Sequence, residues 1–184
     1  MKKTLTIVII LVVLVIGYGF VTYNSLITSN EGIKGQWAQV EAQYQRRFDL
    51  IPNLVESVKG VMKQEQAVFN AIAEARTKYA GAQSVDERAK AAGEVESALG
   101  RLLVITENYP ELKSAENVQT LMAQIEGTEN RISVERKRYN DLVQSYNVRV
   151  KRFPSSLVAR LSGFAEHAYF ESVEGSETAP TVQF

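Results

Sequence analysis

Cysteine is absent from this 184-residue chain, and histidine occurs once, as His167. The first absence removes disulfides, thiol nucleophiles, cysteine zinc sites, iron–sulfur clusters and an N-terminal lipidated cysteine together. The second leaves histidine-based catalysis with almost no material. Charge of one sign is also missing: Lys+Arg and Asp+Glu are 21 each, so the formal net charge is zero. A general nucleic-acid binder carries a basic excess, so no nucleic-acid partner is expected. Enzyme signatures fail in turn. The only closely spaced glycines of loop type, Gly17-Tyr18-Gly19, sit in an apolar run, and no HExxH or GxSxG string occurs. The sequence therefore predicts no enzymatic activity, no catalytic residue, no cofactor and no metal.

What is present is a long apolar run followed by helical periodicity. Thr4–Asn30 contains no charged residue, and Leu5–Ile16 is Leu, Ile and Val throughout apart from Thr6. A helix over Thr4–Tyr23 is ~30 Å long, the thickness of a bilayer core. Tyr18, Phe20 and Tyr23 lie at its far end, where amphipathic rings favour the interface. The competing reading is a cleaved signal peptide. The apolar run continues past Gly17 and Gly19, and no alanine cleavage site follows, so an uncleaved anchor is expected. Lys2 and Lys3 flank it on one side, against Glu31 and Lys34 on the other. The positive-inside rule then places the N-terminus in the cytoplasm and the bulk of the chain outside it.

Counting by sevens from Trp37 gives Trp37, Tyr44, Ile51, Val58, Glu65, Ile72 and Tyr79; from Ile33 it gives Ile33, Val40, Arg47, Leu54, Val61, Val68 and Ala75. A sustained seven-residue repeat is a coiled-coil or bundle signature. Its phase continues across Pro52, which predicts one kinked helix over Glu31–Tyr79. Ser84-Val85-Asp86-Glu87 is a capping box that opens a second helix, with Val85, Ala89, Ala92, Val95, Leu99 and Leu102 inward and Tyr109-Pro110 closing it. A third helix runs from Pro110 or Ser114 to Arg152, with Val118, Ile125, Ile132, Tyr139 and Tyr146 spaced by seven. Phe153-Pro154 stops it, and Ser155–Leu161 forms a short fourth helix. The fold class expected is all-α: an N-terminal transmembrane helix, then a long antiparallel bundle with heptad seams. The expected divisions are 1–30 for anchor and linker, 31–162 for the bundle, and 163–184 for an acidic, extended or partly disordered tail.

Polar residues interrupt the seams, and a buried charge needs a partner. Arg47, Asp49, Glu129 and Arg131 are expected to form ion pairs that fix helix register. Tyr139-Asn140 and Tyr146-Asn147 put two tyrosines on one helix side, read as core packing with hydroxyls reaching polar groups. Arg131–Arg160 carries eight basic residues against two acidic ones, and the tail carries Glu166, Glu171, Glu174 and Glu177 with no Lys or Arg. A solvated basic face covered by that tail is expected.

Arg46-Arg47-Phe48-Asp49-Leu50-Ile51-Pro52-Asn53-Leu54-Val55 resembles the LemA family of bacterial membrane proteins. So do Glu107-Asn108-Tyr109-Pro110-Glu111-Leu112-Lys113, Thr128-Glu129-Asn130-Arg131-Ile132, Arg138-Tyr139-Asn140, Tyr146-Asn147, Arg152-Phe153-Pro154 and Tyr169-Phe170-Glu171. The resemblance covers Tyr23 to Phe184. Phe48 stands where an alanine is usual, and Val118 where an aromatic is common. The resemblance implies a single-pass N-terminal anchor and an antiparallel helical bundle, and it brings no catalytic activity. It also suggests membrane metalloproteases or TPM-domain envelope proteins as partners. Family descriptions that put the large domain in the cytoplasm oppose the Lys2-Lys3 pattern.

Two functions compete on these grounds. One is a non-enzymatic scaffold, anchored in the bacterial cytoplasmic (inner) membrane, that self-assembles or organises envelope partners. The other is an adaptor or sensor presenting a surface to a membrane protease or signalling protein. A single helix over Glu31–Tyr79 is longer than the helix that returns along it. The expectation that follows is that Ile33, Trp37, Val40, Tyr44, Phe48 and Ile51 lack cover from their own chain and form a homo-oligomer face.

Overall fold

The structure is a computed structural model and describes residues 2–170. It contains α1 (Lys2–Lys59), α2 (Gln66–Gly81), α3 (Val85–Thr106), α4 (Pro110–Ser114), α5 (Glu116–Lys151) and α6 (Ser155–Leu161), with no strand among the described residues. The chain divides into two compact units. Among the described residues, one holds 2–39 with Lys137–Tyr169, and the other holds Val40–Arg136 with Phe170.

In the second unit, α1 passes through Pro52 as a helix. Proline removes one amide donor and leaves the Phe48 carbonyl without its i+4 partner. Pro52 lies on the exposed side, so its ring projects away from the packed seam and the helix continues. The break comes later. At 60–65 the chain turns, with the Val61 and Met62 amides both donating to the Val58 carbonyl at 3.1 and 2.9 Å, and Met62 fully buried beneath the turn. The expectation of one helix over Glu31–Tyr79 is therefore corrected to a hairpin of α1 and α2. The turn takes up nearly one heptad, so the apolar spacing resumes in phase on α2 and conceals the reversal. Gly60 and the apolar gap at Lys63-Gln64-Glu65 are its sequence trace.

The hairpin sets the direction of everything after it. Phe48 of α1 meets Tyr79 of α2 edge-on, with ring centroids 4.6 Å apart. Ser84 then opens α3 with the expected capping box: its Oγ accepts the Glu87 amide at 3.2 Å, and Glu87 Oε2 accepts the Ser84 amide at 3.3 Å. The helix α3 ends at Thr106, α4 carries the chain across, and α5 returns along α1. Arg47 pairs with Glu129 while Tyr44 pairs with Arg136, so the two helices run antiparallel. Four antiparallel helix segments thus bury Val95, Leu99, Leu102, Val118, Ile125 and Ile132 between them.

The first unit contains the apolar end of α1, the last turns of α5, and α6. Residues Leu5 to Val21 of α1 are broadly exposed, and this stretch is apolar and long enough to cross a membrane. Burial within the unit starts at Leu26 and continues at Ile33, Tyr139 and Tyr146. Gly163, at φ +75°, reverses the chain after α6, a backbone state that favours glycine. Phe164 then reaches Tyr23 at 5.7 Å between ring centroids. Residues 164–170 have no helix or strand. Of the tail glutamates, Glu166 reaches Lys151 at 2.6 Å, and Glu171, Glu174 and Glu177 lie outside the described residues.

The six residues expected to need a second copy are covered by their own chain. Ile33, Val40, Tyr44, Phe48 and Ile51 are buried, and half-buried Trp37 meets the edge of Tyr139 at 5.5 Å between centroids. The physical reason is the reversal at 60–65. With one more turn in the chain, α5 runs back along α1 instead of away from it.

Candidate functional site

Arg47 sits on the inward side of α1 because its heptad position belongs to the seam, and its side chain is 1% exposed. Its Nε donates to Thr128 Oγ1 at 3.2 Å, and a terminal amino group donates to a Glu129 carboxylate oxygen. Thr128 in turn donates to the Ile125 carbonyl at 2.6 Å, which fixes its oxygen toward Arg47. Four residues were expected in this cluster, and the structure brings two of them together. Asp49 is exposed and accepts a hydrogen bond from Gln45 Nε2 at 2.8 Å, and Arg131 is exposed on α5. Both stand about a third of a turn or more off the inward line, so heptad proximity alone put them in the seam.

A second buried cluster lies beside the first. Arg136 donates through Nε to the Tyr44 hydroxyl at 2.8 Å and through a terminal nitrogen to Glu96 at 3.1 Å. Its guanidinium also stacks 4.5 Å from the centre of the Phe170 ring. Three helices, α1, α3 and α5, therefore meet at one cation. Burial pushes the Tyr44 hydroxyl up to about 12, against the opposing pull of Arg136. Burial also pushes Tyr79 up to about 12, with Tyr44 nearby adding to the shift. For Arg136, burial works against the charge, but Tyr44 and Glu96 outweigh it and hold the guanidinium protonated. Sequence reasoning treated Tyr44 as apolar and missed this cluster. Its trace is that Arg136 falls at a seam position of α5, one turn before Tyr139.

Both clusters open onto a cleft of about 570 Å³. Leu99, Leu103, Leu112, Met122 and Ile125 supply apolar lining, while Arg47, Glu96 and Glu129 supply charge. The cleft contains carboxylates but no histidine or nucleophile paired with a base. Among the described residues no group of three His, Asp or Glu side chains is placed to hold a metal. The ion pairs Arg47–Glu129 and Arg136–Glu96 tie α5 to α1 and α3 along this cleft.

A third polar arrangement belongs to the first unit. Asn147 Nδ2 donates to the His167 carbonyl at 2.9 Å, and the His167 amide donates to Asn147 Oδ1 at 3.0 Å. The imidazole Nε2 lies 2.6 Å from Asn30 Oδ1, and the ring packs on Tyr146. Burial, with Lys34 nearby, holds the imidazole pKa below its usual value. Tyr139 donates its hydroxyl to the Ala168 carbonyl at 3.3 Å. The Tyr-Asn repeat of α5 is thus a ladder for the segment after Gly163, with Tyr139 and Asn147 serving its backbone.

The LemA family model matches residues 36–184. The curated relatives include two copies of "Magnetosome protein MamQ" from Paramagnetospirillum magneticum and one from Magnetospirillum gryphiswaldense. Each is 25% identical to this chain, over 85% of this chain and 67% of its own length.

Proposed function

The chain belongs to the LemA family, and from that footing we propose that it is a non-enzymatic, membrane-anchored helical scaffold that organises cell-envelope partners. The observation that carries this reading is α1 itself. One uninterrupted helix, Lys2–Lys59, contains both the apolar stretch and the inward-facing seam residues Tyr44, Arg47 and Ile51. A helix that joins anchor to bundle without a linker commits the bundle to the membrane. The titratable groups with perturbed environments, Tyr44 and Arg136, are spent on holding helices, which supports a structural rather than a catalytic role. The name of the relatives, a magnetosome protein, is compatible with a protein that serves an assembly.

The membrane is the bacterial cytoplasmic membrane, with the bundle on its outer side, as Lys2 and Lys3 direct. Alkaline phosphatase fused after Phe184 should then be active, and green fluorescent protein at the same place dark. The reverse pair of results places the bundle inside.

The 570 Å³ cleft favours a second reading, an adaptor or sensor that presents this surface to a membrane protease or signalling protein. Size-exclusion chromatography with light scattering in detergent separates the two. A defined large particle supports a self-assembling scaffold, and a monomer supports the adaptor.

A further inference from the structure

The corner between α5 and α6 combines three features. The segment Arg149–Leu161 contains Arg149, Lys151, Arg152 and Arg160 and no acidic residue. Phe153 is 75% exposed, Leu157 55% and Leu161 90%, and the last two share one side of α6 at an i, i+4 spacing. The corner also lies against the end of the bilayer-crossing stretch. Arg149 donates to Ser25 Oγ at 2.5 Å and Ser29 Oγ at 3.2 Å, and Ser155 shares a small pocket with Tyr18, Val21 and Ser25.

Exposed large apolar side chains are costly in water when they cluster. Here they cluster beside the level at which α1 leaves hydrocarbon. Two of the four cations have protein partners: Arg149 holds the serines of α1, and Lys151 holds Glu166. Arg152 and Arg160 are exposed, with no side-chain partner among the described residues. Apolar side chains flanked by basic ones are the composition of a membrane-surface element.

We propose that the α5–α6 corner is a second membrane contact, with Phe153, Leu157 and Leu161 set into the headgroup layer and Arg152 and Arg160 against anionic lipid phosphates. The occupant is the bilayer that α1 crosses, because the corner is continuous with that stretch through Tyr18, Ser25 and Arg149. Lipid contact at the corner holds α5 at a fixed depth and gives the bundle two attachments instead of one. The proposal rests on the reading of α1 as a membrane anchor, and its test separates the two.

The test uses the full chain, which has no cysteine of its own. Single variants Leu157→Cys, Leu161→Cys, Val12→Cys and Leu142→Cys carry an environment-sensitive fluorophore in phosphatidylcholine–phosphatidylglycerol vesicles. Labels at 12, 157 and 161 should be quenched by brominated lipid and protected from aqueous iodide, and the label at 142 should behave oppositely. Iodide quenching at 157 and 161, or protection from both quenchers because a second copy or another protein covers them, overturns the proposal. Lipid quenching at 12 alone leaves the anchor intact and sinks only this contact; its absence at 12 removes both. Arg152→Gln combined with Arg160→Gln should weaken the docking of the corner on the order of tenfold, in anionic vesicles and not in neutral ones. Equal quenching in the double variant overturns the headgroup contact.

Discussion

Arg47 and Glu129 form an ion pair with unequal surroundings: the guanidinium side chain is 1% exposed, and the carboxylate side chain 37%. The asymmetry decides which half is more costly to remove. Glu129 without Arg47 regains water, whereas Arg47 without Glu129 is a buried cation left with Thr128 alone. Glu129→Ala, which leaves no acceptor there, should therefore destabilise the bundle by about 3 kcal/mol, the low end for a buried pair because the carboxylate is partly exposed. Arg47→Met keeps an apolar stem in the seam and should cost about 1–2 kcal/mol. Denaturant unfolding of the two variants in the same detergent gives the order. A larger loss for Arg47→Met would falsify the burial argument.

The Tyr44 and Tyr79 hydroxyls make alkaline stability a test of the second cluster. Both are pushed from about 10 to about 12 by burial. A raised pKa means the folded state holds the proton more tightly than the unfolded chain. The stabilisation is complete below pH 10 and is lost as pH rises toward 12. Part of the tyrosinate absorbance should appear only as the bundle melts, and Tyr44→Phe and Tyr79→Phe should each remove one ring from that late fraction. Tyr44→Phe also removes the hydroxyl that accepts from Arg136 and should cost about 1–3 kcal/mol at neutral pH. Titration of all eight tyrosines in one step near pH 10 in the folded protein rules this out.

The sequence carries α3 and α5 plainly. The capping box at Ser84 and Glu87, the inward line Val118, Ile125, Ile132, Tyr139 and Tyr146, and α6 at Ser155–Leu161 all follow from local signals, and local signals suffice for a helix start and a buried face. The reversal at 60–65 did not follow, because a turn of about one heptad leaves the spacing of apolar residues unaltered. Everything that depended on chain direction then went astray, including the uncovered face at Tyr44 and Ile51. At the site, Arg47 and Glu129 were legible as seam charges. Glu96, Tyr44 and Arg136 were not, since their meeting requires the three-dimensional order of α1, α3 and α5.

His167 provides acid sensitivity. Its imidazole is surrounded by Asn30 and Lys34 from α1 and by Tyr146 and Asn147 from α5. Burial and the Lys34 charge depress its pKa below 6.5. A depressed pKa means the folded state resists protonation, so stability is present above pH 6.5 and is lost as pH falls through the folded value. Backbone amides of 164–169 should lose protection, measured against the intrinsic exchange rate at the same pH, below pH 6 relative to pH 7.5, and amides of α3 should not change their order of protection. His167→Gln keeps a neutral polar group and should abolish this pH dependence. An unchanged profile in that variant assigns the effect elsewhere.

The hairpin itself has a direct distance test. Phe48 and Tyr79 lie ring to ring at 4.6 Å, and Tyr44 and Tyr79 at 5.5 Å. In an unbroken helix, positions 48 and 79 would be ~46 Å apart at 1.5 Å per residue. Phe48→Cys with Tyr79→Cys, in a chain free of other thiols, should be joined within one molecule by a short bifunctional reagent, which shifts mobility without doubling mass. The single variants address the buried face: Tyr44→Cys should give no homodimer on oxidation, because that side chain is enclosed by α2 and α5. Only dimers from the double variant, with no intramolecular product, would restore the continuous helix and return the uncovered seam to a second copy.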